Sequence, residues 1–265
     1  MDNTRRLQQV ILGIAKEVDA LCAKHGIEYY LCGGSTLGAL RHKGFIPWDD
    51  DLDIVMMPEH YDRFIEVCRA ELDRSKYYFQ EGLKDWPLNF SKIKLLGTRI
   101  DEIGGWASCD EQRGIYIDVF RLDYFSDRRI GRMWQYFCGK VWLTYLMTRV
   151  HYRARSTKKK LMLLLSRPLA IRCVEHFFRH QSEKFNRRGP TGWIGFIHGR
   201  TRWSNAVVRR EVYGMPTRVP FEDTELPVQE RADEFLTITF GDYMRLPPEE
   251  KRVGLHITGI DFGKY

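Results

Sequence analysis

Four aspartates fall within five positions of one segment, Asp49, Asp50, Asp51 and Asp53, behind a Pro47-Trp48 step. Like charges at this density repel, so the cluster needs either open solvent or a counter-cation. In a strand, residues two apart share a face. Read as a strand, WDDDLDIVMM sends Asp51 and Asp53 to one side and Leu52 and Ile54 to the other. Paired carboxylates are hard oxygen ligands, the kind that hold Mg²⁺ or Mn²⁺ together with substrate phosphates. A solvated acidic turn is the competing reading. A calcium loop of the EF-hand type is disfavoured, because the glycine needed at its sixth place is missing.

Two other features join the cluster. Gly33-Gly34-Ser35 stands where a strand feeds a helix, a place where backbone N–H groups can cradle a phosphate. Asp118 is a lone acid in the apolar and aromatic run Gly114-Ile115-Tyr116-Ile117-Asp118-Val119-Phe120. Burying a carboxylate alone is costly, so Asp118 calls for a metal or a buried Lys or Arg partner.

The elements that must position these groups can be read from periodicity. Residues 5–25 place Leu7, Ile11, Ile14, Val18 and Cys22 at helical spacing, with Gly26 as the expected cap. IEYYLCGG reads as a strand, STLGALRHKG as a short helix, and WDDDLDIVMM as a strand. Pro58 opens the helix PEHYDRFIEVCRAEL. NFSKIKLLGTRIDE and GIYIDVFRLDYF follow as further strands. Residues 128–188 read as two or three helices, broken near Ser156 and Pro168. Beyond them lie a Gly- and aromatic-rich passage, short extended pieces in VYGMPTRVPFEDTELPV, and a helical ERADEFLTITFGDYM. The expected class is α+β, with a mixed sheet flanked by helices. The expected organisation is a single domain over 1–265 with a basic helical insertion at about 128–188.

Charge is unevenly distributed. The 265 residues carry a net +7, yet Arg128 to Pro190 holds sixteen Lys and Arg against two acids, Glu175 and Glu183. Such a segment points to an anionic partner, whether membrane surface, phosphorylated glycan or nucleic acid. Its Trp134, Tyr136, Phe137, Trp142, Leu143 and Leu146 are candidates for a buried stripe beneath a solvated face. The six cysteines include no CxxC pair, which argues for reduced thiols and against a disulfide framework or zinc site. His176 and His180 have helical ligand spacing but read as surface histidines. No uninterrupted apolar run reaches the length of a membrane span, and the amino end lacks a signal-peptide pattern. The expectation is a cytoplasmic protein, peripheral at the inner face of the membrane.

A strand-end GGS, a D-x-D strand and a later strand aspartate resemble the nucleotidyltransferase (polymerase-β-like) superfamily. The wording between them is narrower. GGSTLGALRHKGFIPWDDDLDIVM resembles the signature of the LicD family of phosphotransferases, which includes the fukutin-related proteins. Phe90-Ser91-Lys92-Ile93-Lys94 with Thr98, then GIYIDVFRLD, VPFEDTELPV and FGDYMRLPPEEKR, extend the likeness in the family's order. Two departures stand out. Arg121 replaces the proline usual in the third block, and the family's closing Arg-x-x-His-His is present only as Arg252-Val253-Gly254-Leu255-His256-Ile257, leaving His256 without an assigned role.

The resemblance implies Mg²⁺-dependent transfer of a phospho-alcohol group, such as phosphocholine, from a CDP-alcohol donor to a sugar hydroxyl of a glycan or glycolipid, with CMP released. It implies a nucleotidyltransferase-like sheet and Asp51, Asp53 and Asp118 as metal ligands, with Asp118 alternatively the general base. Gly33, Gly34 and Ser35 would meet donor phosphates, with Arg41, Lys43, Lys92 and Lys94 as further cations. Trp48 stacks on a base or on choline, or packs in the core. Two other readings stay open: whole-nucleotide transfer with pyrophosphate release, and a non-catalytic basic protein binding membrane or nucleic acid. Nucleic acid is not the expected partner.

Overall fold

The computed structural model describes residues 3–102, 109–150, 157–197, 202–254 and 257–265. Helix α1 (Asn3–His25) leads to strand β1 (Tyr30–Leu31), helix α2 (Gly33–His42), strand β2 (Asp53–Met56) and helix α3 (Pro58–Glu71). Strands β3 (Tyr77–Gln80), β4 (Ser91–Leu95), β5 (Arg99–Glu102), β6 (Ile115–Arg121) and β7 (Asp123–Phe125) follow. Helices α4 (Arg129–Arg149), α5 (Thr157–Leu165) and α6 (Arg172–Ser182) form the basic stretch. Then come β8 (Trp193–Gly195), α7 (Trp203–Ala206), β9 (Val207–Arg209) and α8 (Arg210–Tyr213). The hairpin β10 (Thr217–Phe221) and β11 (Thr224–Val228), helix α9 (Ala232–Phe240) and strand β12 (Ile257–Asp261) complete the chain. The class is α+β, as the periodicities predict.

The chain divides into two compact units. One holds residues 1–81, 90–121 and 212–265; the other holds 82–89 and 122–211 and so takes in the basic helices. In the first unit a five-stranded sheet runs in the order β1-β2-β6-β4-β3. Its β2–β6 pair is parallel and its other pairs are antiparallel. Helix α1 buries Leu7, Ile11, Ile14, Val18 and Cys22 in a core shared with Ile54, Ile93, Ile117 and Val119 of the sheet. It stops as expected at Gly26, whose φ of +59° suits a residue without a side chain.

The second unit packs α4, α5 and α6 together beside the sheet β7-β8-β9. Gln135 ties it internally, its Nε2 donating to the carbonyls of Tyr124 (2.7 Å) and Ser182 (2.9 Å).

Three strand expectations need correction. GIYIDVFRLDYF is not one strand: β6 ends at Arg121 in the five-stranded sheet, and β7 starts at Asp123 in the other. NFSKIKLLGTRIDE turns at Gly97, so β4 joins the large sheet while β5 pairs with β12. The strand predicted at IEYYLCGG is confined to Tyr30–Leu31, because α2 already begins at Gly33.

Candidate functional site

Strand register builds the first part of the site. The parallel pairing sets Asp53 of β2 beside Asp118 of β6, and the antiparallel pairing sets Asp118 beside Lys92 of β4. Partners in register share a sheet face, so Asp53, Asp118 and Lys92 form one row across three strands. Lys92 Nζ lies 2.9 Å from Asp118 Oδ1, with the two side chains only 6% and 13% exposed. The same ammonium sits 3.4 Å from the centroid of the Tyr116 ring. Of the two explanations open for Asp118, the structure supplies the buried lysine. Burial, followed by the charges of Asp51, Asp118 and Asp49, pushes the Asp53 carboxyl well above the ordinary carboxylate range, against the pull of Lys92.

The first turn of α2 is bonded to the strand ends beside it. Ser35 Oγ accepts the Asp53 backbone N–H at 2.9 Å, and Thr36 Oγ1 donates to the Leu31 carbonyl at 2.7 Å. Gly33 opens the helix at a φ of +52°.

The second part of the site is the loop between α2 and β2. One carboxylate oxygen from each of Asp49, Asp50 and Asp51 lies within 4.8 Å of the others, the group of three candidate ligands found among the described residues. A Cβ at position 34 would stand 3.0 Å from Asp49 Oδ2, so the glycine there lets the carboxylate approach the helix. Asp50 is buried, and its Oδ2 accepts the Ile257 N–H at 3.1 Å. Gln8 of α1 holds the loop from another side, its Nε2 donating to the carbonyls of Ile46 and Asp49, each at 3.0 Å. The loop is therefore gripped by α1, by α2 and by the segment that ends in β12.

The predicted residues do not all gather here. Asp51 precedes β2, which begins at Asp53, so the two are not strand neighbours on one face; they remain electrostatic neighbours. Arg41 and Lys43 stand at the far end of α2 from Gly33, roughly 15 Å along a ten-residue helix. There Arg41 donates to the Tyr243 carbonyl at 2.7 Å, and Lys43 is exposed. Lys94 is buried and donates to the Gln112 carbonyl at 2.5 Å, which engages its ammonium inside the fold. Trp48 is half-buried, edge-on to His42 at 6.4 Å and beneath Arg252 at 5.8 Å. His256 lies outside the described residues. His176 and His180 are neighbours on α6, with ring centroids 6.1 Å apart, and belong to no group of three ligands among the described residues.

Sequence reasoning missed Gln8, Gly254 and Ile257. A Cβ at Gly254 would meet Asp50 Oδ2 at 2.9 Å, so this glycine serves close approach. A signal for the Lys92–Asp118 pair did exist: Lys92 and Lys94 alternate with apolar residues in a strand, placing two cations on one face opposite a lone acid.

As a donor set the loop is made of carboxylate oxygens, without sulfur or imidazole. That chemistry suits a hard divalent cation such as Mg²⁺ or Mn²⁺.

Residues 26–137 match the family described as LicD/FKTN/FKRP, nucleotidyltransferase domain. The chain is 29% identical to the lipopolysaccharide cholinephosphotransferase LicD of Haemophilus influenzae, with 96% of each chain covered. Shorter likenesses are found to uncharacterised proteins of two Rickettsia species. One, from Rickettsia typhi, is 43% identical over 54 residues, 20% of this chain and 18% of that protein. The other, from Rickettsia prowazekii, is 48% identical over 46 residues, 17% of each.

Proposed function

From the LicD-family domain that residues 26–137 carry, we propose that this protein is a phosphotransferase moving a phospho-alcohol group, phosphocholine first among the candidates, from a CDP-activated donor to a sugar hydroxyl of a cell-surface glycan. The carrying observation is the Asp53–Asp118–Lys92 row beside the Asp49–Asp51 loop. It lies in a chain that resembles a cholinephosphotransferase over nearly its whole length.

In this reading Asp51 and Asp53 hold Mg²⁺ or Mn²⁺, which when bound neutralises diphosphate charge as the bond to CMP breaks. Gly33, Gly34 and Ser35 orient the donor at the first turn of α2. Asp118 takes the proton of the acceptor hydroxyl, and Lys92 fixes its carboxylate in place. Lys92 also offers positive charge on the same sheet face as Asp53, where the transferred phosphoryl group carries negative charge. This reading assigns no role to Lys94 and Arg41, which donate to the Gln112 and Tyr243 carbonyls.

The test is direct. With Mg²⁺, CDP-choline and a lipopolysaccharide acceptor, the wild-type protein should release CMP and label the acceptor, and Asp53→Asn should lose at least about a hundredfold in rate. Persistence of the wild-type rate in Asp53→Asn defeats the mechanism. The family's description as a nucleotidyltransferase domain favours one second reading, transfer of a whole nucleotide. That reaction releases pyrophosphate from CTP, so product analysis separates the two.

A further inference from the structure

We propose that α4, together with α5, seats this protein on the surface of an anionic lipid bilayer. Helix α4 has two apolar faces. Gln135, Cys138, Trp142, Leu143 and Leu146 are buried, with Trp142 against α6, where Arg179 lies 5.6 Å from its ring. On the other face Ile130, Met133, Trp134 and Phe137 stand in solvent, Ile130 at 83% exposure. Their spacing of i, i+3, i+4 and i+7 confines them to an arc of about 100°, one continuous stripe. The Trp134 and Phe137 rings lie 5.7 Å apart and tilted by 30°, which extends the stripe as one apolar surface. In α5, Leu164 and Leu165 are likewise exposed.

The charge around this stripe is predominantly positive, with Asp127 just ahead of α4 as an exposed acid. Of the two acids between Arg128 and Pro190, Glu183 is buried and pairs with Arg179 at 3.3 Å, and Glu175 accepts from Trp142 Nε1 at 3.4 Å. Glu175 is half-buried, and among the described residues of the segment the fully exposed charges are Lys and Arg, Arg128 and Arg129 among them.

An occupant must take up apolar side chains and cations at once. Nucleic acid would neutralise the cations and leave Ile130, Met133, Trp134 and Phe137 in water. A second copy would cover the stripe but set two segments of charge +14 against each other. A bilayer bearing anionic headgroups meets both demands, accepting apolar side chains to a depth of about 5–10 Å and attracting the cations around them. No helix among the described residues is long and apolar enough to cross a membrane, so the seat is at the surface.

The experiment is co-sedimentation of the full chain with phosphatidylcholine vesicles, with and without phosphatidylglycerol. Partition onto the anionic vesicles should exceed that onto neutral ones and should fall as salt rises. The double variant Trp134→Ser/Phe137→Ser should lose at least about tenfold in partition, as should Leu164→Ser/Leu165→Ser. All four positions are exposed, so far-ultraviolet dichroism and CMP release with a detergent-free soluble acceptor should stay as in wild type. Equal partition onto both vesicle types, or full partition of both variants, overturns the proposal. So does self-association of the free protein that the double variants abolish, which would assign the stripe to a second copy.

Discussion

Replacing Lys92 by methionine isolates the interaction on which the candidate site is built. The change keeps an unbranched side chain of similar length and removes only the ammonium. Lys92 and Asp118 are 6% and 13% exposed, so the pair is shielded from solvent, and removing one partner leaves a buried carboxylate with a net loss of about 3–5 kcal/mol. Asp53, the register neighbour of Asp118, works in the same direction, because Lys92 draws down a carboxyl that burial and the neighbouring acids push up.

The decisive control is the double variant Lys92→Met/Asp118→Leu. With both charges gone, stability should return to within about 1 kcal/mol of wild type, because apolar pairs replace buried ion pairs with little loss. Urea unfolding at pH 7 without divalent cations measures both, with dichroism and fluorescence required to report one transition. A loss below about 1 kcal/mol in Lys92→Met would show that the pair is not shielded. A double variant no more stable than the single one would place the cost in packing around Tyr116 and refute the argument from an orphaned charge.

Two further perturbations follow from named contacts. In Gly38→Ala the new Cβ would meet the Gly44 carbonyl oxygen at 2.5 Å and the Ile46 nitrogen at 3.2 Å, backbone atoms that cannot swing aside. The expected loss in urea unfolding is about 1–3 kcal/mol, with slower transfer because the shifted loop carries Asp49 to Asp51. Burial lowers Lys140 from 10.5 to about 8 while its ammonium donates to the Ile197 carbonyl at 2.7 Å. A depressed folded pKa gives stability that is full above 10.5 and lost as pH falls through about 8. Lys140→Met should therefore be stabler than wild type at pH 7 by up to about 2 kcal/mol, after about 1 kcal/mol for the lost hydrogen bond. The advantage should shrink at pH 9.5, and a pH-independent difference would contradict the assignment.

Elements set by local chemistry were legible in the sequence. The period of α1, its stop at Gly26 and the opening of α3 at Pro58 need no distant partner to be inferred. What could not be read depends on pairing across the chain. β12 exists because it finds β5, and GIYIDVFRLDYF divides because its two halves join different sheets. Helix α4 departs from its expected burial for another reason. The pattern groups Trp134 and Phe137 with Trp142, Leu143 and Leu146 as one buried stripe, yet they stand exposed on the opposite side. A helix with apolar residues on both faces has a periodicity that does not say which face is inward. At the site, the residue types were legible and their partners less so: Asp118 announced a need for positive charge, and only register identified Lys92 as its source.

The Gly-Gly-Ser turn and the aspartate cluster, distinct motifs in the sequence, are one structure. The space above Gly34 is occupied by Asp49 Oδ2, and Ser35 Oγ is engaged by the Asp53 N–H. A phosphate brought to that turn by itself would meet carboxylates before it met backbone N–H groups, and like charge would turn it away. On the reading proposed above, donor diphosphate would bind together with the divalent cation. Asp50, whose oxygen is given to the Ile257 N–H, serves to hold the loop in the position where they are received.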